Sequence, residues 1–178
     1  MLDKQRTGLI VVDVQGKLAG MMHQPEALFQ QLRILIQGAR LLEMPIVWFE
    51  QLPDKLGPTR EEIADLLPGE PLVKHTFSGM ANDDIAAAIS NSGCDSWLVA
   101  GIEAHICVYQ TICDLREAGY QVELVIDAAS SRTEANKNLA ISKLETLGVG
   151  MTSVEMALME LQRVAEGDGF RQLVKLIK

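Results

Sequence analysis

Short apolar runs alternate along this chain with longer stretches in which apolar residues recur every three or four positions. Gly8-Leu9-Ile10-Val11-Val12, Ile46-Val47-Trp48-Phe49 and Pro71-Leu72-Val73 have the length and aliphatic content of buried strands. So do Trp97-Leu98-Val99-Ala100, Gln121 to Ile126 and Val149 to Ser153. Between them lie helical patterns. Pro25 to Glu43 carries Leu28, Leu32, Leu35, Ile36 and Leu42 on one face, and Met44-Pro45 ends it. Thr59 and Glu62 stand at capping-box spacing for a short helix to Leu67, and Asn82 or Asp83 caps Asp84 to Asn91. Ile106, Val108, Ile112 and Leu115 form the next periodic stretch, stopped by Gly119. Thr133 to Leu147 and Val154 to Ala165 follow, and Gly167-Asp168-Gly169 leads into a last amphipathic helix. Six alternations of strand and helix predict an α/β fold: a parallel sheet between two helical layers, with residues 1–178 as a single domain.

Sheets of this kind bind ligands beyond the carboxyl ends of their strands, where the strand order reverses. Three of the predicted strand ends carry reactive groups: Asp13, Lys74 and Cys107. Each has a plain structural alternative. Asp13 alone could cap a loop, Lys74 could be a solvated strand end, and Cys107 could be a buried packing residue. A carboxylate, an amine and a thiol on one rim favour catalysis over any of these. Cys107 sits where a strand passes into the first turn of a helix, close to free N–H groups and the positive end of the dipole. That position predicts a thiol ionising below its usual value of roughly 8.5. His105, two residues before it, is expected to be structural or at the rim, and Asp127 to be a cap or loop anchor. Met21 and Met22, in the loop after Asp13, are equally consistent with a pocket wall and with loose surface packing.

Composition narrows the classes. Aromatic residues make up only 4%, so the core must be aliphatic. With 16 basic and 24 acidic residues the net charge is −8, and no basic stripe is present, which argues against a nucleic-acid partner. No run approaches the roughly 18 apolar residues of a membrane span, and the N-terminus lacks a signal core, so no membrane partner and a cytoplasmic location are expected. Cys107 and Cys113 would lie about 9 Å apart along one helix, beyond the roughly 7 Å limit for a disulfide. The spacing of His23, His75 and His105 and the lack of C-x-x-C or H-E-x-x-H give no metal site, and no cofactor is called for.

Five blocks carry a resemblance. Val11-Val12-Asp13-Val14-Gln15, Val73-Lys74-His75-Thr76-Phe77-Ser78 and Val99 to Val108, which contains Cys107, resemble the signature blocks of the isochorismatase-like cysteine hydrolases. Glu50-Gln51-Leu52-Pro53 with Leu56-Gly57-Pro58-Thr59, and Thr152 to Leu158, are similar to the YcaC-type and isochorismatase-domain-containing branch. The resemblance implies a six-stranded sheet in the order 3-2-1-4-5-6, a Cys107-Asp13-Lys74 triad cleaving a small amide or related C–N bond through a thioester, and a homo-oligomer. It also implies a cis Ile102–Glu103 peptide, with the N–H groups of Glu103 and Cys107 as an oxyanion hole. Gln15, Ile102 and His105 are weaker substrate-facing candidates.

Two features separate the chain from better-known members. Phe49-Glu50-Gln51-Leu52 has no histidine where nicotinamidases hold a metal, and Cys107 stands where true isochorismatases lack a nucleophile. A catalytically weak scaffold and a thiol-redox sensor using Cys107 remain the rival readings.

Overall fold

A computed structural model describes residues 1–178. The first half runs β1 (Thr7–Val12), α1 (Gly16–Gly20), α2 (Pro25–Leu41), β2 (Ile46–Gln51), α3 (Pro53–Leu56), α4 (Glu61–Ala64), β3 (Leu72–Lys74) and α5 (Asp83–Asn91). β4 (Ser96–Ile102) then enters a π-helical turn, Ala104–Val108, before α6 (Tyr109–Glu117). β5 (Gln121–Ser130), α7 (Glu134–Thr146), β6 (Gly150–Thr152), α8 (Val154–Gln162) and α9 (Gly167–Ile177) complete the chain. The six strands form one parallel sheet in the order β3-β2-β1-β4-β5-β6, so the order reverses between β1 and β4.

Alternate residues of each strand feed two separate cores. Leu9, Val11, Trp48, Leu98 and Ala100 pack on α2, α8 and α9, whereas Ile10, Val12, Phe49, Trp97 and Val99 pack on α5, α6 and α7. The continuous apolar runs are thus explained: in a parallel sheet covered on both faces neither side of a strand is free to be polar. Leu173 of α9 is fully buried and Leu176 packs beside it, so the last helix covers the chain's own core. No helix is long and apolar enough to cross a membrane.

Local differences from the expected pattern have identifiable causes. The Thr59 capping box does not form. Glu62 pairs with Arg60 at 3.1 Å, and the Thr59 N–H donates to the buried Glu50 carboxylate at 2.6 Å. The short helix therefore begins at Glu61 and spans four residues. β5 runs on to Ser130 because a register irregularity carries it alongside the end of β4, pairing Gly101 with Ala129 and Ile102 with Ser130. Asp127 lies in that irregular stretch and accepts the Val154 N–H at 2.9 Å, anchoring the start of α8.

Gly101 brings the ends of β1 and β4 together. Its φ is +114°, and a Cβ there would lie 2.2 Å from the Val12 carbonyl oxygen. Gly101→Ala is expected to cost about 2 kcal/mol or more through this backbone clash, lowering the thermal midpoint by about 4–8 °C. A thermal unfolding curve unchanged from wild type would contradict this placement.

Candidate active site

The carboxyl end of β1 delivers Asp13 in a left-handed backbone conformation (φ 49°), which aspartate tolerates better than most residues. Its N–H donates to the Phe49 carbonyl of β2 at 3.2 Å, fixing it beside the neighbouring strand end. Lys74 ends β3, two strands away, a separation of about 9.6 Å. The lysine side chain itself crosses this gap. It is fully buried, and Nζ donates to Asp13 Oδ2 at 2.7 Å, Gln51 Oε1 at 3.1 Å and the Thr76 carbonyl at 3.1 Å. Three donors thus meet three acceptors, the condition under which a buried ammonium is tolerated. The Phe49 ring lies 5.5 Å from the same nitrogen.

Cys107 stands in the π-helical turn that follows a cis Ile102–Glu103 peptide, and α6 begins only at Tyr109. Its thiol is buried and donates to Gln51 Oε1 at 3.1 Å. Sequence position alone predicts a lowered thiol pKa; the structure reverses the sign. Burial first and the neighbouring Asp13 carboxylate second together push the thiol up to about 12, outweighing the opposing pull of Lys74. Asp13 is also raised above the ordinary carboxylate value, again by burial, against the lowering effect of Lys74. The resting site is therefore a neutral thiol beside a carboxylate of increased basicity. Asp13 Oδ1 is buried and makes no hydrogen bond.

A cavity of about 170 Å³ opens onto Asp13, Gln51, Glu103 and Cys107, with Leu18, Leu56, Phe77, Ile102 and Ile106 as its apolar wall. A larger hollow of about 570 Å³, beside Gln37, Arg40 and Lys175, contains no nucleophile. The structure therefore brings Asp13, Lys74, Cys107, Glu103 and Ile102 to one place; Gln15 and His105 stand directly behind this group, in contact with Gln51 and Glu103, without lining the cavity. Gln15 is not part of the cavity wall. It is fully buried, accepts the Gln51 N–H at 2.7 Å, and donates to the carbonyls of Gln51 (3.1 Å) and Gly57 (2.7 Å), so its amide serves only to position the end of β2. His105 Nδ1 bonds Ser131 Oγ at 2.9 Å instead of lining the cavity. The Glu103 carboxylate is held by the Arg132 N–H (3.0 Å) and Nε (3.1 Å). Met22 is a core residue and Met21 is exposed; neither reaches the cavity.

Sequence reasoning missed Gln51. It lies directly opposite Lys74 in register, and one carbonyl oxygen receives both the ammonium and the thiol. The available signal was its place at a strand end between two residues already singled out.

Two predictions follow from this geometry. Lys74→Ala, which strands a buried carboxylate, is expected to cost about 3–5 kcal/mol of stability. Asp13→Asn combined with Lys74→Met should recover part of the loss in a double-mutant cycle of denaturation midpoints. Alkylation of Cys107 by iodoacetamide, followed peptide by peptide, should still be rising with pH at pH 10, and Asp13→Asn should shift the profile to lower pH. A wild-type half-point near 8.5 would contradict the buried, carboxylate-opposed thiol.

An isochorismatase domain is matched over residues 7–156. The secreted isochorismatase effector Isc1 of Phytophthora sojae (strain P6497) is 34% identical over 176 residues, covering 96% of this chain and 83% of the relative. The structure of MAR1 ribonuclease from Caenorhabditis elegans superposes with a TM-score of 0.91 at 30% identity, covering 99% of this chain and 91% of that one. The YcaC gene product of Escherichia coli, an octameric hydrolase of unknown specificity, superposes with a TM-score of 0.93 at 21% identity, covering 98% and 89%, a likeness of fold. Strand order, matched span and these relatives agree, and the chain belongs to the isochorismatase-domain family of hydrolases.

Proposed function

We propose that the chain is a cysteine hydrolase that cleaves a small amide through a thioester, with Cys107 as nucleophile, Asp13 as general base and acid, and Lys74 as the charge that holds Asp13 in place. The observation that carries this reading is the unpartnered Asp13 oxygen beside a buried, neutral thiol in the wall of a small cavity. Rotation about the Cβ–Sγ bond redirects the thiol hydrogen from Gln51 towards Asp13. The raised basicity of Asp13 then favours proton transfer as sulfur attacks the carbonyl carbon. Charge developing on the carbonyl oxygen is received by the N–H groups of Cys107 and Glu103, the latter having no acceptor within the chain. Asp13 returns the proton to the leaving nitrogen and ammonia departs. Water, deprotonated by Asp13, then cleaves the thioester to the acid and restores the thiol.

The redox-sensor reading is disfavoured by the same site, since sensor cysteines are exposed and low in pKa, whereas this thiol is buried and raised. An RNA substrate, suggested by the name of the C. elegans relative, fits poorly with a net charge of −8 and a cavity of about 170 Å³. Residues 1–178 then act as one catalytic domain, in the cytoplasm, on a small molecule without a metal or other cofactor. Assembly as a homo-oligomer is supported by the octamer of E. coli YcaC and by exposed Leu139, Leu147 and Met156.

The test is ammonia release from small primary amides, with the acyl-enzyme trapped on Cys107 and weighed by mass spectrometry. Cys107→Ser is expected to abolish release, and Asp13→Asn to reduce it about 10²- to 10⁴-fold. Because Asp13 must be ionised to accept the proton, kcat/KM should fall as pH drops through its raised pKa, placing the acid limb above the ordinary carboxylate range. Undiminished ammonia release by Cys107→Ser would refute the nucleophile.

A further inference from the structure

Resting on the hydrolase reading, we propose a substrate class: a small primary amide whose acyl group is uncharged and apolar, selected by Phe77 at the mouth of the cavity. Three features of the cavity carry this.

The first is its complement of unpaired polar groups. Asp13 Oδ1 is a buried acceptor without a donor. Gln51 Oε1 is fixed towards the ammonium of Lys74, because the reverse orientation would turn an NH₂ group onto a cation. Gln51 Nε2 is then left as a donor with no acceptor in the chain, and the N–H of Glu103, which lines the same cavity, is equally unused. One acceptor next to donors matches a carboxamide, which brings its own N–H and its own carbonyl.

The second is charge. Both carboxylates on the wall are already committed, Asp13 to Lys74 and Glu103 to Arg132. The Lys74 ammonium has used its three donors, and no other cation lines the cavity. A substrate carboxylate would lose its hydration beside two fixed carboxylates without gaining a partner.

The third is shape. The cavity of about 170 Å³ is smaller than the roughly 300 Å³ at which drug-sized pockets begin, and its remaining wall is apolar. Phe77 lines this cavity yet is 53% exposed, an arrangement that leaves aromatic surface in water until something apolar covers it. An aliphatic or small aromatic acyl group does so when its amide reaches Cys107.

The experiment compares wild-type kcat/KM for valeramide and for succinamate, which differ by little in length but by one carboxylate, reading ammonia release and the acyl adduct on Cys107. Valeramide is expected to be favoured by about tenfold or more. Phe77→Ala should erode that preference mainly by raising KM for valeramide, and Phe77→Leu should retain most of it. Equal or better turnover of succinamate would overturn the inference while leaving the hydrolase reading intact. Preference for valeramide that survives Phe77→Ala unchanged would overturn the role of Phe77. Failure of every amide to release ammonia, with Cys107 still open to iodoacetamide, would overturn the hydrolase reading itself.

Discussion

The site depends on one buried ion pair, Lys74 with Asp13, formed across an intervening strand. Removing an ammonium and a carboxylate from water costs several kcal/mol per ion, and the attraction between them offsets this only when every remaining proton and lone pair is placed. The chain meets that condition with neutral groups. Gln51 supplies the second acceptor for Lys74, and Thr76 the third. Gln51 is itself clamped, because the buried Gln15 bonds both its N–H and its carbonyl. A strand end that could drift by even an ångström would leave the lysine unsatisfied. Gln15 and Gln51 therefore stabilise the geometry of a charge pair to which neither contributes charge.

That arrangement explains why the thiol stays protonated. A lysine beside a cysteine ordinarily favours the thiolate, but here its charge is met by Asp13, and the sulfur experiences burial first and the carboxylate second. Under the proposed function, the chemistry would be a proton relay within a nearly neutral cluster, in which a basic carboxylate acts only when an electrophile is in place. Such a thiol is poorly reactive towards small oxidants, which attack the ionised form.

Much of this was legible in the sequence, and for physical reasons. Strands buried on both faces cannot hide their apolar runs, so all six could be located, and their alternation with helices implied parallel order. Asp13, Lys74 and Cys107 stood out because reactive side chains at the ends of apolar runs are conspicuous. What escaped notice depended on contacts between distant segments. Gln51 looks like any polar residue ending a strand until its register with Lys74 is known. Gln15 resembles a pocket residue until its amide is seen to be spent on Gln51 and Gly57. The sign of the thiol's shift lies beyond a dipole argument, which uses only local sequence, whereas desolvation depends on everything packed around the sulfur. The capping box at Thr59 failed for a related reason: Glu50, nine residues away, offered the Thr59 N–H a better acceptor.

The buried, protonated thiol also dictates how this protein can be labelled or blocked. Reagents that rely on a free thiolate will find the exposed surface of other proteins first and pass this one by. A covalent ligand suited to it would be held by the apolar wall of the cavity, long enough for Asp13 to supply the deprotonation that bulk solvent does not. Selectivity would then come from the base that the reagent must borrow, rather than from its intrinsic reactivity.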